Sequence, residues 1–168
     1  MSLSPSGRCV IGLLSAAVGL FTAGCGFQLQ GATRLSPRMA AVEFVAPDRY
    51  SELQQALREA LSLAGSRWVE GQGTPTATLR ILRDETGRRV LSVSARNTPR
   101  ELEVYYTVEY RVEADGRELL PRQELTLTRT LSYDETALLA KEQEEEQVRA
   151  VLARDLAALI TRRLAALP

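Results

Sequence analysis

The sequence predicts an α+β two-layer sandwich, with two helices on one face of a roughly four-stranded mixed or antiparallel sheet. Three observations carry this. Apolar residues recur at helical spacing around 53–64 and again over 148–164. Between them, residues 101–113 alternate between apolar and polar, with only Tyr105 out of step. An Asp115-Gly116 pair then joins that run to a second alternating one, the signature of a tight hairpin. A chain of 168 residues with 45% hydrophobic and 25% charged residues suits one globular domain plus extras.

Elements follow in order. Residues 39–47 (MAAVEFVAP) read as a short strand closed by Pro47. The next run places Leu53, Leu57, Ala60, Leu61 and Ala64 on one helical face. Ser51 with Gln54 three residues on forms a capping box, and Gly65 fits the position just past the helix end. From Thr76 to Arg100 a long strand is expected, with a break near Asp84 to Gly87 and a turn at Asn97 to Pro99. In the following strand Leu102, Val104, Tyr106, Val108, Tyr110 and Val112 face the helices. Glu101, Glu103, Thr107, Glu109, Arg111 and Glu113 point the other way, so Glu109 should tolerate replacement. The returning strand carries Leu125, Leu127 and Leu131 on one face. The tail is a long helix with Asp134 as N-cap and an apolar stripe from Val148 to Leu164. Its acidic run KEQEEEQ reads as a solvated first turn, and Arg162 and Arg163 suit the negative end of the helix dipole.

Composition narrows the chemistry. Formal charge is zero, which argues against a nucleic-acid partner. Lys141 is the only lysine, and every other basic residue is an arginine. Arginine offers a planar fork of donors suited to carboxylates and phosphates; a high arginine share also follows from genome composition. The absence of histidine removes Ser-His and Cys-His nucleophile pairs and most zinc sites. Both cysteines, Cys9 and Cys25, lie in the first 25 residues, so the domain has neither a disulfide framework nor a cysteine metal cluster. No metal site and no catalytic residue is expected.

The first 24 residues read as a secretory signal: Arg8 precedes an apolar and small-residue run from Cys9 to Gly24. That run is too short for a membrane-spanning helix, which needs about 20 apolar residues. TAGC, with Ala23 and Gly24 before Cys25, resembles the lipobox of bacterial lipoproteins, departing from it at Thr22. The resemblance implies cleavage before Cys25 and a covalent diacylglycerol and N-acyl chain on it, with no other cofactor. Gly26, where aspartate would retain an enterobacterial lipoprotein in the inner membrane, implies the outer membrane. The expected organisation is a signal peptide over 1–24, a lipidated leader over 25–38 and one domain over 39–168.

Two motifs and the element order carry a wider resemblance. Cys25, Gly26, Phe27, Leu29 and Gly31 follow the lipobox; Arg129, Tyr133, Asp134, Leu139, Ala140 and Lys141 precede the acidic run. With a strand–helix–three-strand–helix order, these residues resemble the LptE family of outer-membrane lipopolysaccharide-assembly lipoproteins, from Cys25 to the C-terminus. The resemblance implies a lipid-anchored, periplasm-facing protein seated as a plug inside an LptD-like β-barrel, binding lipopolysaccharide and helping its delivery to the outer leaflet. It also implies that basic side chains near the sheet's loop tips meet lipid A and inner-core phosphates. The candidates are Arg88, Arg89, Arg96 and Arg100, with Arg129 on the last strand. From Arg80 to Arg100 there are six arginines against Asp84 and Glu85, and charge-assisted arginine–phosphate bonds can be bidentate. The bland reading of each is a solvated strand position near a hairpin. The basic character that relatives carry earlier on the last strand falls near Thr126 here.

Two other functions remain open on sequence. An auxiliary lipoprotein of an envelope phospholipid-transport system could share this small α+β fold. A carboxylate-only envelope hydrolase would need an acid pair with separated pKa values in a cleft.

Overall fold

The computed structural model describes residues 34–71, 73–133 and 138–167. The expected signal peptide, Cys25, the leader up to residue 33 and the expected N-cap Asp134 lie outside the described residues. All the described residues belong to one compact unit, Ala32–Pro168.

Alternation between Ala77 and Ser132 folds into three long strands, β3 (Ala77–Val93), β4 (Pro99–Ala114) and β5 (Arg117–Ser132). Before them come β1 (Ala41–Val45), helix α1 (Glu52–Leu63) and a short β2 (Arg67–Val69); α2 (Leu138–Ala165) ends the fold. Among the described residues the sheet has five strands, in the order β2-β1-β3-β4-β5. β1 runs parallel to β2 and β3, whereas β3, β4 and β5 are antiparallel. The sheet is therefore mixed, as expected, with β2 the strand beyond the expected four. Three residues carry too little pattern to announce a strand.

Local chemistry sets the helix ends. The Ser51 hydroxyl accepts from the Gln54 N–H at 3.2 Å, capping α1. At the other end Gly65, at φ +88°, lets its N–H donate to Ser62 O (3.0 Å) and the Ser66 N–H donate to Leu61 O (2.9 Å). This paired closure frees Arg67 to run beside Ala41 as β2. At the β4–β5 hairpin, Asp115 and Gly116 both take positive φ, as a two-residue turn requires.

Strand β3 is continuous through the expected break: Arg83↔Glu109 to Val90↔Leu102 pair without a gap at Asp84–Gly87. The irregularity lies earlier, between Ile81 and Arg83, and it swaps the faces. Before it Leu79 and Ile81 face the helices; after it Asp84, Thr86, Arg88 and Val90 share the helix-facing side of their β4 partners. Gly87 gives room instead of a break. A Cβ there would stand 2.5 Å from the hydroxyl of its cross-strand partner Tyr105.

The core lies between sheet and helices. Leu53, Leu57 and Leu61 of α1 and Leu152, Leu156, Ile160 and Leu164 of α2 are buried with Val104, Tyr106, Val108, Tyr110 and Val112 of β4. Each such side chain contributes about 1.5–3 kcal/mol on burial. The opposite sheet face is a layer of ion pairs: Arg83–Glu124 at 3.3 Å, Arg89–Glu103 at 2.5 Å, Arg111–Glu113 at 2.9 Å, and Arg122–Glu109. Glu109 points away from the helices as expected, yet it is only 5% exposed, because Arg122 lies over it. Glu109 is therefore not the free solvent-facing position that its tolerance of replacement requires. Glu145 departs likewise from the solvated reading of the acidic run: it is buried, held by Arg88 at 2.9 Å and by Arg149. Among the described residues no helix is long and apolar enough to cross a membrane, and no group of three His, Cys, Asp or Glu could hold a metal ion.

Candidate functional site

The five candidate arginines do not form one cluster. Arg88 and Arg129 both pair in register with Val104 of β4, so they flank it on the helix-facing side. Each reaches α2, Arg88 to Glu145 at 2.9 Å and Arg129 to Asp155 at 3.5 Å. Arg89, one residue along, lies on the opposite face against Glu103. These three are engaged by carboxylates, and Arg88 locks the strand to the helix.

Arg96 and Arg100 stand apart at the tip of the β3–β4 hairpin. The turn is closed by Ser94 N–H to Thr98 O (2.7 Å) and Asn97 N–H to Ser94 O (2.9 Å). The Ser94 hydroxyl accepts from the N–H groups of Arg96 (3.3 Å) and Thr98 (3.2 Å). Asn97 takes φ +61°, a left-handed conformation that asparagine adopts more readily than most residues. The Tyr133 N–H donates to Arg100 O at 2.8 Å, tying the base of the turn to the end of β5. Both arginines are exposed, and among the described residues no carboxylate lies within ion-pairing distance of either. Two guanidinium groups thus sit on an internally bonded turn with their donors open to solvent.

Beside them sequence reasoning missed an apolar element. Val90, Leu91 and Val93, at 52%, 47% and 52% exposed, lie on β3 just before the turn. The signal was the run VLSV between Arg89 and Arg96 in RRVLSVSARNTPR, which reads as strand interior until a strand is seen to outrun its cover. Next to this tip, a cavity between the ends of β4 and β5 and the start of α2 has about 20 Å³, room for about one water and no more. At this tip a larger ligand is met on the surface. Apolar side chains beside unpaired arginines suit an amphipathic anion, with phosphates on the guanidinium groups and hydrocarbon on the valines and leucine.

The comparisons agree with this architecture. Residues 39–164 match the family model described as LptE, Lipopolysaccharide-assembly. The chain is 30% identical over 148 residues to the LPS-assembly lipoprotein LptE of Pectobacterium atrosepticum, covering 86% of this chain and 79% of that one. It is 28% identical over 158 residues to the LptE of Yersinia enterocolitica, covering 94% and 75%. Among solved structures it is similar to an uncharacterized lipoprotein B from Nitrosomonas europaea, with a TM-score of 0.70, 28% identity, and coverage of 84% and 91%. It is also similar to the rare lipoprotein B of Shewanella oneidensis, with a TM-score of 0.65, 26% identity, and coverage of 75% and 94%. With a family match across almost the whole described fold and relatives of that name spanning most of its length, the chain belongs to the LptE lipopolysaccharide-assembly family.

Proposed function

We propose that this chain is an outer-membrane lipoprotein, acylated at Cys25, that binds lipopolysaccharide and acts as plug partner of an LptD-like β-barrel. A role in lipopolysaccharide assembly goes with the family; ligand and partner are our reading. The observation that carries it is the β3–β4 tip, where Arg96 and Arg100 stand unpaired among the described residues beside exposed Val90, Leu91 and Val93. Lipid A presents phosphates next to acyl chains, and the tip offers guanidinium groups next to apolar side chains. Arg88, Arg89 and Arg129 are secondary, since a phosphate must first displace Glu145, Glu103 or Asp155 from them.

The role is non-catalytic. Glu109 and Glu145, the buried acids among the described residues, each lie against arginine, and Glu124, the cross-strand partner of Glu109, is itself held by Arg83.

The test is lipopolysaccharide affinity of the wild type and the Arg96→Ala/Arg100→Ala variant, beside an Arg162→Ala/Arg163→Ala control. A charge-assisted bond is worth roughly 1.5–3 kcal/mol, and solvent exposure puts each of these at the low end. Affinity should fall about tenfold to a hundredfold for the tip pair, and less at high salt. Melting temperature should barely change, since surface substitutions usually shift stability by about 0.5 kcal/mol. Equal loss from both pairs would reduce the effect to bulk charge, and no loss from the tip pair would refute the assignment.

A further inference from the structure

The end of the sheet opposite the Ser94–Thr98 turn gathers the chain's entry into the fold, the C-terminus of α1, the start of β2 and the β4–β5 hairpin. The Leu35 N–H donates to Ala64 O at 3.2 Å, the Arg67 N–H to Ala40 O at 2.8 Å, and Ala77 pairs with Ala114. Four arginines lie at this end, Arg34, Arg38, Arg67 and Arg117, all exposed and, among the described residues, without an ion pair. Arg38 and Arg117 share one surface depression with Asp115 and Glu118. Glu113 is taken up by Arg80 and Arg111, so these four arginines outnumber the two remaining acids of the hairpin. Leu63, the last residue of α1, is 76% exposed at the same end.

We propose that, before the domain is seated in its barrel, this end docks on the phosphate headgroups of the membrane leaflet that holds the acyl chains of Cys25. The proposal rests on the acylation reading of Cys25. Nine peptide units separate Cys25 from Arg34, so covalent geometry keeps that arginine within about 30 Å of the anchor. Acyl chains and a basic patch are complementary signals: the first fixes the protein to the bilayer, and the second sets which surface faces it. Each basic residue close to an anionic leaflet strengthens binding about fivefold, and Leu63 is placed to enter the interface as an apolar side chain. The anchor would then do more than tether the domain. It would orient it, with the Ser94–Thr98 turn pointing away from the leaflet.

Trp68, the only tryptophan, sits on β2 beside Arg67 and reports on this end. The full mature acylated chain is reconstituted in vesicles of phosphatidylcholine alone and of equimolar phosphatidylcholine and phosphatidylglycerol, both with a dansyl-headgroup lipid. Energy transfer from Trp68 should be greater in the equimolar vesicles and fall as salt rises. Arg38→Ala/Arg117→Ala should lower the docking equilibrium about 25-fold while leaving lipopolysaccharide affinity intact; Arg96→Ala/Arg100→Ala should do the reverse. Replacing chloride by inorganic phosphate at equal ionic strength should change nothing. Transfer that ignores lipid charge, falls equally in both variants, or is abolished by free phosphate would overturn the proposal. Mass spectrometry of the same preparation checks Cys25. Were it unacylated, co-sedimentation with the equimolar vesicles replaces energy transfer, and binding that survives the Arg38/Arg117 change would overturn the docking surface.

Discussion

Glu109 and Glu145 are buried acids that each depend on arginine, and they make the sharpest predictions at the scale of single residues. Val108→Asp should unfold the domain, because Val108 is fully buried against the helices and an unpaired carboxylate there costs several kcal/mol. That approaches a whole domain's stability of about 5–15 kcal/mol. Glu109→Lys should also destabilise, by about 1–3 kcal/mol, since it sets a cation against Arg122; Arg122 is 71% exposed, which softens the loss. Denaturant unfolding of both variants checks the order, and an unaffected Glu109→Lys protein would contradict the ion-paired sheet face. Glu145→Gln strips Arg88 and Arg149 of their shared carboxylate and should cost about 1–3 kcal/mol. Its hydrogen exchange should rise first at the start of α2, the part that Arg88 pins to β3. The sequence announced the faces of Val108 and Glu109 through simple alternation. It could not announce the burial of Glu109 and Glu145, because that depends on arginines on the next strand or fifty-seven positions away folding over them.

At the scale of elements, β4 carries two buried tyrosines on one face, and they set a response to alkali. Burial pushes the Tyr106 hydroxyl well above its ordinary pKa, and the charge and hydrogen bond of Asp84 add to it. Burial also raises Tyr110, partly offset by Arg163. For an acid whose folded pKa is raised, the folded state keeps its proton where the unfolded state has lost it. Stability is therefore fully present below the unfolded value of about 10 and falls as pH rises above it. Unfolding free energy measured on either side of pH 10 should drop for the wild type, and the Tyr106→Phe/Tyr110→Phe variant should drop less; identical slopes would mean these hydroxyls ionise in place. Elements of this kind were legible because their patterns are long: β4 alternates from Leu102 to Val112 apart from Tyr105, and α1 has both a Ser51 cap and a Gly65 stop. β2 was not legible, being three residues with one buried side chain. The run Asp84–Gly87 misled because glycine in a strand signals a break or a close neighbour equally well, and here the neighbour is the Tyr105 ring.

Across the whole molecule, β3 separates two arginine-bearing ends by about 50 Å at roughly 3.3 Å per residue. One end holds Arg96 and Arg100 on a braced turn; the other gathers Arg34, Arg38, Arg67 and Arg117 around the chain's entry. The site was partly legible from the sequence. An excess of arginine between Arg80 and Arg100 marked the right hairpin, but it gave Arg88, Arg89 and Arg129 the same weight as the tip pair. Only the fold separates arginines spent on Glu145, Glu103 and Asp155 from those left open. A sheet with one face on its helices and the other laced with ion pairs has no further apolar layer to bury, which suits a domain working against a polar lining such as the inside of a large barrel. The central claim is that partnership. The measurement that tests it most directly is purification of the chain from its own cell envelope, with the complex run on gels before and after heating. The account predicts a large β-barrel in equal amount that stays bound until heat unfolds it, with lipopolysaccharide carried along; recovery with phospholipid-transport proteins and no barrel would contradict it.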